Sequence, residues 1–143
     1  MQIKWKRLSP QAVLPQKQTA GSAGYDLAAC LEEPLTIPPG EMEMVPLGFA
    51  AELPQGLAGF VFSRSGLGAQ GLVVAQGVGV IDSDYRGGWM VPLRNLSGQD
   101  KTVEPGQRIA QVVFMAAAEP EAVEAEELSP TTRGRGGFGS TGL

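Results

Sequence analysis

Apolar positions in this chain come in short bursts, each broken by glycine, proline or a polar turn. Ile3 to Arg7 alternates apolar and basic residues, the period-two pattern of a half-buried opening strand. Leu35-Thr36-Ile37 and the stretch 42–53 predict strands on either side of a Pro38-Pro39-Gly40 turn. Gly59 to Phe62 predicts another, ending at Ser63-Arg64-Ser65-Gly66, where Ser65 or a neighbour is placed to cap a short helical turn. Gly71 to Val74 and Val78 to Ile81 flank Ala75-Gln76-Gly77, a hairpin signal. Trp89 to Leu93 follows. Pro92 within it argues for an edge strand or a barrel bulge, because proline brings no N–H to a ladder. Pro105-Gly106 then turns the chain into a strand over Arg108 to Phe114. The sum is about ten short strands and one turn of helix, an all-β jelly-roll or distorted β-barrel pattern.

Composition agrees with that pattern. Glycine and proline together number 31 of 143 residues, while 43% of the chain is apolar, too hydrophobic for disorder and too often interrupted for helices. The length suits one domain with a single core, and so turn-rich a fold gains from an oligomeric core. The expected division is a β-barrel domain over 1–117, followed by an acidic connector and glycine-rich arm over 118–143. The connector is extended by expectation: residues 116–128 have helix propensity, but Pro120 and the crowded glutamates oppose it.

The net charge of −4 is local, since Glu119, Glu121, Glu124, Glu126 and Glu127 crowd into that connector. No basic stripe suggests a nucleic-acid partner. There is one cysteine, Cys30, which excludes an intrachain disulfide, and no histidine, which excludes histidine bases and most zinc sites. Proton transfer therefore falls to a carboxylate. The opening Met1 to Arg7 carries no apolar signal region and no run approaches membrane-spanning length. A cytoplasmic protein away from membranes is the expectation.

The most informative stretch is the end of the chain, Thr132 to Gly142. Five glycines, Arg133, Arg135, Phe138, Ser140 and Thr141 build neither strand nor helix. Backbone N–H groups, hydroxyls and arginine forks suit phosphates, and Phe138 suits a base, so the segment reads as a lid ordering over a nucleotide. Gly134-x-Gly136-x-x-Gly139 imitates a dinucleotide fingerprint, but no strand precedes it and no helix follows. A second constellation is Gly79-Val80-Ile81-Asp82-Ser83-Asp84-Tyr85-Arg86-Gly87. Asp84 fits best as a turn residue. Asp82, beside the apolar run, fits a general base or a turn equally well on physics alone. Ser63-Arg64-Ser65-Gly66 offers a cation and hydroxyls to an anion, and Ala23 to Leu27 and Gly106 to Gln111 are weaker signals alone.

In order and content these segments closely resemble the five motifs of the trimeric dUTP pyrophosphatase (dUTPase) family. They stand here as Ala23-Gly24-Tyr25-Asp26-Leu27, Arg64-Ser65-Gly66-Leu67, Gly79 to Gly87, Gly106-Gln107-Arg108-Ile109-Ala110-Gln111, and Arg133 to Gly142. The resemblance spans almost the whole chain. It implies a β jelly-roll homotrimer (the dUTPase-like β-clip) with shared active sites, a mobile C-terminal arm closing from a neighbour, and hydrolysis of dUTP to dUMP and pyrophosphate with Mg²⁺ held mainly by the triphosphate rather than by protein ligands.

Carried over by motif, Asp82 activates the water and Tyr85 packs on the deoxyribose. Arg64, Ser65, Gly66 and Gln111 meet phosphate, Asp26 supports the site, and the hairpin with Gln76 and Val78 reads uracil. From the arm, Phe138 stacks on the base, Arg133, Ser140 and Thr141 bind the β- and γ-phosphates, and Gly139 is a further substrate-binding residue. The family usually has Asn at the place of Gln76 and Pro at the place of Ser63. Rival readings are a dCTP deaminase-like enzyme of the same fold, a dUTP-sensing protein that signals through its arm, and a bare β-barrel interaction module.

Overall fold

A computed structural model of the chain describes residues 1–139. It has eleven strands and one short helix: β1 Lys4–Arg7, β2 Tyr25–Ala28, β3 Leu35–Ile37, β4 Met42–Pro46, β5 Phe49–Glu52, β6 Leu57–Ser63, α1 Ser65–Ala69, β7 Leu72–Val74, β8 Gly79–Ile81, β9 Met90–Asn95, β10 Lys101–Val103 and β11 Arg108–Ala116. They form four antiparallel sheets, ordered β1-β5, β10-β3, β2-β11-β6-β8 and β4-β9-β7, and the sheets do not close into one continuous barrel. The fold is the all-β jelly roll expected.

None of these ladders joins strands that are consecutive in the chain. This corrects the hairpin expected over 71–81. The turn is present, with Gly77 N–H donating to Val74 O at 3.0 Å and Gly77 at φ +79°. Beyond it β7 pairs with β9 while β8 pairs with β6. The stretch 42–53 likewise splits at Gly48 (φ +72°), β4 joining β9 and β5 joining β1. Local alternation marks a strand, but the partner is chosen by which apolar face must be covered.

Pro92 sits in β9, the central strand of its sheet, where an edge or a bulge was expected. The geometry explains the tolerance. Its carbonyl accepts from Ala75 N–H at 2.8 Å, one residue past the end of β7, so its missing donor faces the same side beyond that ladder. Ser65 is the first residue of α1 rather than its cap. Arg64 occupies the cap position, and no side chain bonds there.

The core is continuous between the sheets, with Leu27, Ile37, Leu47, Phe49, Leu93, Ile109 and Val112 fully or almost fully buried. Burying each such side chain stabilises the fold by about 1.5–3 kcal/mol. Trp5, Phe49 and Trp89 pack with centroids 5.2–5.5 Å apart, two of the three pairs edge-on. No strand follows β11 among the described residues, and 121–130 are exposed throughout. No helix among the described residues is long and apolar enough to cross a membrane.

Candidate active site

Three strands bring the first group of side chains together. Gln111 of β11 pairs with Asp26 of β2, and on the other side Ala110 of β11 pairs with Ser63 at the end of β6. The chain then leaves β6 into α1 through Arg64. The Arg64 guanidinium reaches Asp26, Nε to Oδ1 at 3.2 Å, and donates to the Arg108 carbonyl at 3.2 Å. Arg108 Nη1 donates to the other oxygen of Asp26 at 3.0 Å. Gln111 Nε2 donates to Ser63 O at 3.2 Å.

Gly24 makes the close packing possible, since a Cβ there would stand 2.5 Å from Gln111 Oε1. Ser63 accepts the Val74 N–H on its hydroxyl at 2.8 Å, which ties β7 to β6. Where the resemblance has proline, this chain thus has a tether. Ser65 and Gly66 lie exposed beside the cluster on the helix's first turn.

The second group lines an open cavity of about 280 Å³ past the end of β8. Gln76, Asp82 and Tyr85 share it with Trp89, Met44 and Met90. Tyr85 N–H donates to Asp82 O at 3.2 Å, so one turn presents both side chains. Tyr85 Oη donates to Gly88 O at 3.1 Å, and its ring lies over Gly87, where a Cβ would stand only 2.6 Å from Cζ. The Gln76 amide folds over Gly79, a Cβ there coming within 3.2 Å of Nε2. Val78, expected to touch the base, is 41% exposed in the turn.

Asp84 lines a different cavity with Ser83, Arg86 and Glu119, as befits a turn residue. Trp89 closes the cavity of Gln76, Asp82 and Tyr85 from the core side. It is 2% exposed, and its indole N–H is the one buried side-chain polar atom without a partner among the described residues.

The arm is the third group. Gly134 N–H donates to Thr131 O and Gly136 N–H to Arg133 O, both at 3.1 Å, and Arg133 Nε donates to Gly136 O at 2.8 Å. Phe138 is fully exposed at φ +51°. The last described hydrogen bonds from the tail to the body are Ala117 N–H to Gly56 O and Gln55 Nε2 to Glu119 Oε2. Ser140 and Thr141 lie outside the described residues.

The structure therefore joins Asp26, Arg64 and Gln111 in one cluster, and Gln76, Asp82 and Tyr85 in one pocket. No hydrogen bond or ion pair among the described residues links these to each other or to the arm. No three His, Cys, Asp or Glu side chains among the described residues are grouped as metal ligands. Arg108, Gly87 and Trp89 were missed in the sequence as parts of a site. Arg108 and Gly87 stand inside motifs, but what they touch depends on register and packing.

Comparison with known proteins is consistent in outcome. The dUTPase family model matches residues 10–142. A deoxyuridine 5′-triphosphate nucleotidohydrolase of Desulfitobacterium hafniense (strain DSM 10664 / DCB-2) is 48% identical over all of this chain and 96% of its own length. One of Gamma-proteobacterium EBAC31A08 is 46% identical over 91% of this chain and 95% of its own. Among solved structures, the dUTPase of Staphylococcus bacteriophage 80alpha with dUPNHPP superposes with a TM-score of 0.90 at 27% identity, covering 99% of both chains.

Proposed function

The chain belongs to the dUTPase family, and from that membership we infer that it hydrolyses dUTP to dUMP and pyrophosphate. The observation that carries the assignment of residues is the cavity shared by Gln76, Asp82 and Tyr85. Mg²⁺ would come with the triphosphate of the substrate, not from a cluster of protein carboxylates, and would offset part of its charge. Asp82 holds a water against the α-phosphorus and takes its proton. The water oxygen bonds to that phosphorus, the bridge to the β-phosphorus breaks, and its electron pair leaves with pyrophosphate.

Arg64, Ser65, Gly66 and Gln111 take the phosphate oxygens, positioned by strands β6 and β11 so that little reorganises during reaction. Asp26 holds Arg64. Gln76 and the backbone around Val78 meet the uracil edge, and a base with reversed donors and acceptors leaves buried groups unpaired there. From the arm, Phe138 stacks on the base, while Arg133, Gly139, Ser140 and Thr141 close over the outer phosphates. The body over 1–117 carries the chemistry and 118–143 carries the lid.

Two half-sites and a detached arm on one chain support a homotrimer in which each site draws on neighbouring copies. A site closed in that way completes itself only on assembly. The reaction lowers dUTP and supplies dUMP for thymidylate synthesis, and a cytoplasmic location suits the free Cys30 thiol.

Tyr85 stands where a 2′-hydroxyl would go, and Gly87 is what lets the ring lie there. In Gly87→Ala the three atoms nearest the new methyl group all belong to the Tyr85 side chain, so the methyl pushes the ring off the Gly88 carbonyl. The wild type is expected to turn over dUTP and reject UTP. In Gly87→Ala the ratio of kcat/KM for dUTP over UTP is expected to fall about tenfold, one misplaced contact's worth. An unchanged ratio, or a wild type that accepts both, would count against the assignment of Tyr85.

A further inference from the structure

We propose that Arg108 is a positioning residue for this reaction: paired with Asp26, it balances that carboxylate so that Arg64 meets the triphosphate as an uncompensated cation. The inference rests on the reading above, in which Arg64 binds phosphate.

The first observation is how Arg108 comes to face the site at all. Along β11 the residues alternate in direction, so Arg108 by parity belongs with Ala110 and Val112, both fully buried in the core. The ladder with β2 slips between Arg108 and Ala110, which pair with Ala28 and Leu27. Ile109 is the extra residue of this bulge, and Ile109 and Ala110 are both buried. The parity is thereby reset, and Arg108 emerges on the face of Gln111 and Asp26. A bulge that re-aims one side chain next to a site is a frequent device in sheets.

The second observation is charge. Asp26 is the shared counter-ion of both arginines, its two oxygens paired separately, with Arg64 Nε at 3.2 Å and Arg108 Nη1 at 3.0 Å. Its side chain is 14% exposed against 30% for Arg64 and 47% for Arg108. Two arginines against one aspartate leave the trio at +1. Without Arg108 the trio is neutral, and a triphosphate approaching Arg64 meets the carboxylate behind it undiminished. Asp26 is still needed, because it pairs with Arg64 at Nε while one Nη1 hydrogen goes to the Arg108 carbonyl, and the other guanidinium donors are left for a ligand. The Arg64 bond to the Arg108 carbonyl locks the three to one strand.

Charge arithmetic separates this role from a merely structural one. The wild type carries +1 in the trio, Arg108→Gln carries 0, Asp26→Asn carries +2, and the double variant returns to +1. Affinity for inorganic tripolyphosphate, read by calorimetry, is expected to fall about tenfold in Arg108→Gln. It should return to within about threefold of wild type in the double variant and in Arg108→Lys, which keeps the charge. With Mg·dUTP, KM should follow the same order, while kcat should drop wherever Asp26 is lost, because Arg64 is then unanchored. A double variant that binds tripolyphosphate as weakly as Arg108→Gln would overturn the proposal, as would an Arg108→Lys that binds equally weakly. A wild type that ignores dUTP but preserves the tripolyphosphate order would overturn the assigned reaction and leave this inference standing.

Discussion

Asp82→Asn is expected to bind dUTP with near wild-type affinity and to hydrolyse it about a thousandfold more slowly, within the range a positioned general base contributes. The substitution keeps the shape of the side chain and removes its ability to take a proton. The turn that presents it is held by the Tyr85 N–H to Asp82 carbonyl bond, which the change does not touch. With no histidine in the chain, no imidazole can take over. The nearest spare carboxylate in sequence is Asp84, and it faces a separate cavity with Ser83 and Arg86. Asp84→Asn therefore serves as the internal control, with little change in rate. Steady-state pyrophosphate release together with equilibrium binding distinguishes the two. Turnover at the wild-type rate in Asp82→Asn would sink the assignment of the base.

Removing residues 133–143 is the second large effect. Hydrolysis should fall by about a hundredfold or more, because the lid supplies phosphate donors and excludes water from the reacting centre. Folding should be unaffected. The fully buried side chains of the core end at Val112, and from Ala117 onward the tail shares only two described hydrogen bonds with the body. Phe138 buries nothing against its own chain, so its loss leaves no cavity. Sedimentation and thermal unfolding of the shortened protein should match the full chain while activity collapses. Full activity without the arm would refute the lid.

The strands and the site were legible in the sequence to different degrees. β1, β6, β9 and β11 could be read because alternation and turn residues are local properties. β10 could not, since Lys101-Thr102-Val103 is too short to show a period and exists by virtue of pairing with β3. The hairpin reading failed at the same point. Ala75-Gln76-Gly77 does turn the chain, but whether the arms then pair depends on sheets contributed by distant residues. Pro92 misled for a related reason, as its missing donor is harmless only because β7 stops where it does.

At the site, the motifs carried the residue types, and the structure added what each one touches. Asp26 reads as a weak junction residue in isolation, whereas its two arginine partners come from β11 and from the end of β6, 82 and 38 positions on. Arg108 was illegible for a sharper reason: its direction depends on a bulge, and a bulge is visible only once two strands are in register. Gly87 closes the third motif in the sequence without a role of its own, and its role comes only from the Tyr85 ring lying against it.

The most direct test of the central claim is pyrophosphate release from dUTP, dCTP, dTTP and UTP measured in parallel with Mg²⁺ and the full chain. Release from dUTP alone is the predicted result, with Gln76 selecting uracil. Comparable release from several of the four would contradict base and sugar selection in the cavity of Gln76, Asp82 and Tyr85, and no release from any would contradict the assigned reaction itself.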